Sequence, residues 1–273
     1  MPSATNIAAA PGPTKFPRNA RHLLASLDAL AANSEHFLSA SNLGGSSEEL
    51  TSPLPRYVFF GPRGGGDTIR IGIFATIHGD EPEGALGLIR FVESLTRNPE
   101  VARGYGLFLY PLCNPAGFVD GTRVSRSGKD LNREFWRNSA EPEVRYLESE
   151  ILRHAFHGII TLHSDDTSHG LYGFATGAVL SESLLEPALK AAERFLPRNH
   201  GAIIDGFAAR RGIIHDIYQG VLQAPAGLKQ PPFEITFETP QLAPQDLQIA
   251  AVAAALSSIL VEYRSFLALA QNI

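Results

Sequence analysis

Residues 68–82 read TIRIGIFATIHGDEP, an apolar strand pattern that ends in a short polar turn. A helical pattern follows at residues 83–97, so this segment predicts a strand, a turn and a helix in direct succession. The same succession recurs, with apolar runs at 105–112, 158–163 and 171–175 and helical patterns at 141–156 and 182–196. Strands that alternate with helices predict an α/β fold, in which helices cover both faces of a mixed, mostly parallel twisted sheet.

The flanking segments extend this pattern into a single domain. Residues 18–32 carry leucines at helical spacing, residues 233–238 (FEITFE) alternate as a strand, and residues 244–270 predict a long Ala-rich helix. No internal repeat and no linker divides residues 18–273, whereas residues 1–17 are rich in Pro, Ala and Gly. We therefore predict a flexible N-terminal arm followed by one domain, and the sequence leaves the role of its first helix open.

A glycine-rich turn at residues 61–67 (GPRGGGD) separates two predicted strands, 56–60 and 68–77. The turn lacks the Gly-Lys-Ser/Thr ending of a phosphate-binding loop, and no helix follows it. We therefore expect the two strands to form a hairpin.

The composition excludes several classes of site. The 273 residues carry 23 Lys plus Arg against 28 Asp plus Glu, a net charge of -5, without a basic run, which argues against a nucleic-acid partner. The one cysteine, Cys113, rules out internal disulfides and cysteine-rich metal sites and is expected to pack rather than react, so a metal must bind to His, Asp or Glu. The sequence has neither an 18-residue apolar run nor a signal-like N-terminus, so we expect no membrane partner and a cytoplasmic location.

Candidate metal ligands stand where predicted strands end. His78 and Glu81 follow strand 68–77, and His163 ends strand 158–163. In open α/β sheets the carboxyl ends of strands meet at the edge that binds ligands. Two His and one Glu leave an open fourth position, typical of catalytic zinc, which lowers the pKa of a bound water toward about 7. The spacing alone is weak evidence, and a capping Glu beside a surface His is the alternative.

The strand at residues 233–238 offers the base that such a water needs. At period two, Glu234, Thr236 and Glu238 face the same side of the strand, opposite to its apolar residues. Three polar groups in line on an apolar strand indicate a wet cavity. Glu238 lies nearest the carboxyl end and is the better candidate, with Glu234 as the fallback, while an edge strand with one solvated face is the other interpretation.

The long loop before residue 134 carries further polar groups, Arg123 and then Asp130-Leu131-Asn132-Arg133. A guanidinium beside an amide suits the binding of a carboxylate, and a separate arginine can polarise a carbonyl. Loop arginines are often only solvated, so these residues alone leave both interpretations open.

Together these residues resemble the zinc carboxypeptidase superfamily, the M14 metallopeptidases, which includes the succinylglutamate desuccinylase and aspartoacylase branch. The resemblance covers about residues 56–238. It rests on seven motifs in the family's order: His78-x-x-Glu81, Asn114-Pro115, Arg123, Asp130-Leu131-Asn132-Arg133, His163-Ser164, Ile217-Tyr218-Gln219 and Thr236-Phe237-Glu238.

The resemblance implies a zinc carboxypeptidase-like catalytic domain with one Zn²⁺ per chain. His78, Glu81 and His163 would bind the metal. Asp130 would orient the imidazole of His78, the usual arrangement for a ligating histidine.

The resemblance also implies roles in catalysis and substrate binding. Arg123 would polarise the scissile carbonyl, and Glu238 would pass the proton of the attacking water to the leaving amine. Asn132 and Arg133 would bind the free carboxylate of the substrate. Tyr218 stands about where the family's mobile tyrosine closes over the substrate, and a part-buried structural tyrosine is the alternative.

Specificity is the least determined property. The tract at residues 219–237, which should line the specificity pocket, offers neither a clear Asp nor a clear Arg, and Lys229 is its one charge before Glu234. His169 and His215 are candidate substrate contacts, with no role as the alternative.

The substrate is expected to be a peptide or an N-acyl amino acid with a free carboxylate. Deacylases of the branch generally carry an extra β-rich domain after the catalytic Glu, whereas 35 residues follow Glu238 here. We therefore expect a metallocarboxypeptidase or peptide amidase, with N-acyl amino acid deacylation as the alternative. An inactive binding protein would lack a ligand, the base or the arginine, and none of these is missing.

Overall fold

The computed structural model describes residues 18–39, 54–178 and 180–270, and the predicted arm at residues 1–17 lies outside them. Six α-helices occur within these ranges: α1 (Ala20–Asn33), α2 (Glu83–Arg97), α3 (Pro115–Asp120), α4 (Pro142–His154), α5 (Leu180–Ala192) and α6 (Gln245–Ala270). The same ranges contain ten strands: β1 (Phe37–Ser39), β2 (Tyr57–Phe60), β3 (Ile69–Ala75), β4 (Tyr105–Tyr110), β5 (Gly158–Asp165), β6 (Tyr172–Gly177), β7 (Ile203–Ile204), β8 (Phe207–Arg210), β9 (Ile213–Ile214) and β10 (Phe233–Pro240). Two 3₁₀ turns, Pro99–Ala102 and Leu131–Arg133, complete the regular structure.

The strands form one sheet in the order β1-β2-β4-β3-β5-β10-β6-β9-β8-β7. Its centre is parallel, because β3 pairs in parallel with both β4 and β5, and β5 pairs in parallel with β10. β6 is antiparallel to β10, and β2 is antiparallel to β4. The predicted α/β fold with a mixed, mostly parallel sheet is therefore confirmed.

Helices cover both faces of this sheet, since each presents an apolar stripe to it. On one face α1, α2, α5 and α6 share a single apolar cluster, with Leu88, Leu189 and Leu256 among its fully buried side chains. On the other face α4 packs Val144 and Leu147 against a second cluster. The carboxyl ends of β3, β5 and β10 lie at one edge of the sheet, where polar residues end or follow these strands.

The hairpin predicted across residues 61–67 is wrong, because β4 lies between β2 and β3. The backbone amide of Gly61 donates to the Tyr105 carbonyl, and that of Ile69 donates to the Gly104 carbonyl, so the turn wraps around the start of β4. This insertion gives β3 a parallel partner on each side and buries the strand that leads to His78.

Helix α6 is long and apolar, with a mean hydropathy of 1.5 over its most apolar window, and by length and composition alone it could cross a membrane. Buried core helices of soluble proteins have the same properties. Here the helix packs against α2 and α5, with Leu256 and Ile259 buried in the main cluster.

Candidate metal centre and substrate cavity

Three neighbouring strands bring the predicted site residues to one edge of the sheet. β3 leads directly into the turn that contains His78, and Glu81 lies just before α2. β5 and β10 run in parallel register, which places His163 opposite Glu238. Residues that are 85 positions apart in the sequence, such as His78 and His163, therefore come into contact.

His78, Glu81 and His163 form a buried cluster whose candidate ligand atoms all lie within 4.8 Å of one another. Nδ1 of His78 lies 2.7 Å from Oε1 of Glu81, and Nδ1 of His163 lies 3.0 Å from Oε2 of Glu81. The two Nδ1 atoms are 3.2 Å apart. Two imidazole nitrogens that converge on one carboxylate fit a divalent cation such as Zn²⁺.

The Glu81 carboxyl at the centre of this cluster is ionised. Burial acts to raise the pKa of Glu81, but the two neighbouring histidines outweigh it and hold the pKa well below its usual range. The carboxylate is therefore charged at neutral pH, the form in which it binds a metal ion.

Asp130 contacts the imidazole of His78 on the side away from Glu81. Its Oδ1 lies 3.2 Å from Nε2 of His78, the nitrogen that points away from Glu81, so it holds the ring as a carboxylate holds a ligating imidazole. Arg123 bridges the two acids, since its Nε donates to Asp130 Oδ2 at 3.1 Å and its Nη1 donates to Glu81 Oε1 at 3.4 Å. Burial acts to raise the pKa of Asp130, but His78 and Arg123 outweigh it and hold the pKa below its usual range, so Asp130 is ionised.

The turn that carries His78 and Glu81 is held in place by the backbone around it. Gly79 packs directly against the backbone of Gly117 in α3. Arg18, which precedes α1, donates from Nη1 to the Gly79 carbonyl at 2.7 Å. Helix α1 itself packs on the domain through Leu23 and Leu27, and Arg18 just before it contacts the turn that carries His78 and Glu81, which answers the question that the sequence left open.

We expect Gly79→Ala to destabilise the protein by about 1–3 kcal/mol and to lower its metal content. The added methyl group would lie 1.9 Å from the carbonyl carbon of Gly117, and that backbone cannot move aside without displacing the turn. Gly65→Ala is the matched control, because its methyl group meets nothing within 4 Å. Chemical denaturation and metal analysis of both variants test this, and parental values for Gly79→Ala would contradict the close approach.

Glu238 lies buried at the same edge of the sheet. Burial raises its pKa well above the usual range of a carboxyl group, and the nearby charges of Glu81, Asp165 and Asp205 raise it further. A carboxyl group with a raised pKa can take up and release a proton near neutral pH, as a general base must.

Asn132 and Arg133 lie on the 3₁₀ turn Leu131–Arg133. Oδ1 of Asn132 accepts a hydrogen bond from the Leu222 amide at 2.8 Å, which leaves its Nδ2 for a substrate. The guanidinium of Arg133 stacks on Tyr218, with Cζ 4.2 Å from the ring centroid. The Tyr218 hydroxyl in turn donates to the Asp205 carbonyl at 2.9 Å, so this tyrosine rests at the rim of the cavity.

These residues line one cavity of about 240 Å³, which includes every predicted site residue except Asp130. Ile217 belongs to a quoted motif, and Val221 and Leu222 belong to the tract 219–237 that was expected to line the specificity pocket. Thr161, Phe174 and Asp205 also line the cavity and were not singled out from the sequence. Thr161 and Phe174 stand beside Thr236 in register, so the alternation of their strands could have identified them. Asp205 comes from the turn between β7 and β8, where no pattern in the sequence indicated strands.

Two histidines considered as substrate contacts lie away from the cavity. His169 is exposed, and neither it nor His215 is among the described residues that line the cavity. Nε2 of His215 instead lies 3.7 Å from a carboxylate oxygen of Glu182. Cys113 is fully buried in the apolar cluster beneath α4, in agreement with a packing role.

Comparisons with known proteins agree with this fold. Residues 67–200 match the family described as the succinylglutamate desuccinylase/aspartoacylase catalytic domain, and no curated protein matches the sequence. The fold is similar to that of a protein from Shewanella denitrificans OS217 assigned as a metallopeptidase, with 22% identity, 90% of each chain covered and a TM-score of 0.71. A protein from Shewanella amazonensis SB2B, also assigned as a metallopeptidase, is 26% identical over 87% of this chain and 90% of that chain, with a TM-score of 0.67. A metallo-carboxypeptidase from Burkholderia cenocepacia is 20% identical over 92% of this chain and 70% of that chain, with a TM-score of 0.68.

The fold and the buried His-Glu-His cluster define an α/β protein with a candidate metal site. The family match and the structural similarities confirm the resemblance to the zinc carboxypeptidase superfamily. The match of residues 67–200 to a family of catalytic domains supports an enzyme.

Proposed function

We propose that this protein is a zinc-dependent hydrolase that cleaves an amide or peptide bond next to a free carboxylate, as a metallocarboxypeptidase or peptide amidase. One observation carries the proposal: the buried cluster of His78, Glu81 and His163 shares a single cavity with Glu238 and Arg133. A metal site, a base and an anchor for a carboxylate are the parts that this reaction requires.

Two arginines would act on the substrate. Arg123 lies beside the metal cluster and is 45% exposed, so its guanidinium can hold the oxygen of the scissile carbonyl as negative charge develops there. Arg133 forms no ion pair with any described residue and would bind the free carboxylate of the substrate. Zinc bound by the histidines and Glu81 would supply Lewis acidity and lower the pKa of a bound water.

Glu238 would move the proton. It would accept a proton from the attacking water and donate it to the leaving amine as the amide bond breaks. Burial and the acidic neighbours raise the pKa of Glu238, which makes the carboxyl a stronger base toward the water than an exposed glutamate.

Pairs of peptides with a free or an amidated C-terminus test this proposal. We expect kcat/KM to fall at least about 100-fold on amidation, because Arg133 then loses a charge-assisted hydrogen bond. Hydrolysis should also stop with a chelator and return with zinc. Equal rates on both peptides would contradict the anchoring role of Arg133, and hydrolysis by metal-free protein would contradict zinc dependence.

Deacylation of an N-acyl amino acid is the second candidate, and the family match over residues 67–200 favours it. The same cavity would then hold a small acylated amino acid, with its carboxylate on Arg133. N-acetyl and N-succinyl amino acids in the same substrate panel separate the two candidates. A higher kcat/KM on these compounds than on any peptide would make the protein a deacylase.

A further inference from the structure

Three central strands present a ladder of side chains that leads from the metal centre into the protein. β10 lies between β5 and β6, and Glu238, Thr236 and Glu234 share one of its faces. Their partners in register complete three rows: His163, Glu238 and Tyr172 at the sheet edge, then Thr161, Thr236 and Phe174, then Ile159, Glu234 and Thr176.

The side chains of these rows line two adjoining cavities. The first two rows line the cavity of about 240 Å³. Thr161 and Thr236 of the second row and all three residues of the third row line a smaller cavity of about 10 Å³. Thr161, Thr236, Ile217 and Leu222 line both, so the small cavity adjoins the large one. A volume of this size holds one water-sized group. Glu234 lines the small cavity. It is four residues from Glu238 on β10, which is about 13 Å at roughly 3.3 Å per residue of strand.

The environment of Glu234 is unusual for a buried acid. Its Oε1 accepts a hydrogen bond from the Ala224 amide at 2.6 Å, and its Oε2 accepts one from the Thr176 hydroxyl at 3.3 Å. No Lys, Arg or His of the described residues pairs with it, although a buried carboxylate without a cation is unfavourable. Burial accordingly raises the pKa of Glu234.

We infer that Glu234 is a specificity-determining residue that binds the ammonium group of a C-terminal lysine, or of a side chain of similar length. The inference rests on the proposed function, because Arg133 must first hold the carboxylate of the same residue. Phe174 and Ile217 would pack against the four-carbon stem.

The small cavity suits an ammonium group in size and in chemistry. An ammonium group is compact and donates three hydrogen bonds without accepting any. Around the cavity stand acceptors for these hydrogen bonds, namely the carboxylate of Glu234 and the hydroxyls of Thr161, Thr176 and Thr236. A guanidinium is broader than one water-sized group, so we expect lysine to be preferred over arginine.

The test compares blocked dipeptides that end in lysine or in norleucine, which has a neutral side chain of similar length. We expect the wild-type protein to hydrolyse the lysine peptide with a kcat/KM at least about 10-fold higher. Calorimetry with free lysine and free norleucine gives a second readout that needs no turnover, and lysine should bind at least about 10-fold more tightly. Equal or weaker binding of lysine overturns the inference.

Glu234→Gln should abolish this preference while the hydrogen bond to the Ala224 amide is retained. The ratio of lysine to norleucine kcat/KM should fall by about 10- to 100-fold, and lysine affinity should fall with it. Glu35→Gln is the matched control, because Glu35 is exposed and lies between α1 and β1. An unchanged ratio in Glu234→Gln overturns the inference. Failure to hydrolyse any peptide would contradict the proposed function instead, and the binding comparison would still decide the role of Glu234.

Discussion

Glu238→Gln is expected to lower kcat by about 10²- to 10⁴-fold while the protein keeps its fold and its metal. Glutamine has nearly the size of glutamate, so the packing of β10 between its two neighbours is retained. Glu238 is also outside the cluster of candidate metal ligands. An amide cannot accept the proton of the attacking water, so the loss falls on the chemical step. Steady-state kinetics on a peptide with an uncharged C-terminal side chain and metal analysis of the purified protein measure both quantities.

The control for this experiment is Glu35→Gln, because Glu35 is exposed and lies far along the chain from the cavity. Its kcat and metal content should equal those of the parent protein. Parental kcat in Glu238→Gln would mean that another group is the base. A loss in Glu234→Gln as large as that in Glu238→Gln would point to the alternative base that the sequence left open.

The polar face of β10 shows how far the sequence can predict this site. Alternation at period two assigned Glu234, Thr236 and Glu238 to one side, and the structure places all three on the borders of cavities. The alternation could not distinguish a central strand from an edge strand, since both can carry one polar face. β10 is central, with β5 and β6 as neighbours, so its polar face meets a cavity under residues 217–223 rather than bulk water.

Other parts of the site depend on contacts between distant segments, which local patterns do not encode. The close approach of Gly79 to Gly117 and the hydrogen bond from Arg18 to Gly79 join parts of the chain that no periodicity links. The position of β4 between β2 and β3 is of the same kind, because turn residues indicate a turn but not which strands pair. β7, β8 and β9 have only two to four residues each, too few for an alternation to be visible, so Asp205 at their turn was missed.

The positions of His78 and His163 were predictable because of a general property of parallel sheets. Each follows or ends a continuous apolar strand, and the carboxyl ends of adjacent parallel strands lie at one edge. β3 and β5 are direct neighbours, so the two histidines had to lie close together. The roles of these residues as metal ligands stay a prediction, and removing one ligand is the direct test.

His163→Ala is expected to abolish metal binding and to lower kcat at least about 10³-fold. His163 is buried on a central strand and its Nδ1 faces both His78 and Glu81, so no other described side chain can take its place in the cluster. Loss of one of three protein ligands also removes the Lewis acid on which the proposed reaction depends. Metal analysis after dialysis and kinetics on the best substrate of the panel measure these losses. His169→Ala is the matched control, because that imidazole is exposed and lies outside the cavity.

A chelator separates loss of the metal from damage to the fold. A metal that binds only the folded state stabilises it, by about 4 kcal/mol when the free metal is 1,000-fold above its Kd. The Tm of the wild-type protein should therefore fall when a chelator is added, whereas the Tm of His163→Ala should not respond to the chelator. Retention of one equivalent of metal by His163→Ala would refute the ligand assignment. If the chelator lowers the Tm of the wild-type protein and of His163→Ala equally, the metal binds at a different site. Stabilisation by a metal that His163 binds must be lost when His163 is removed.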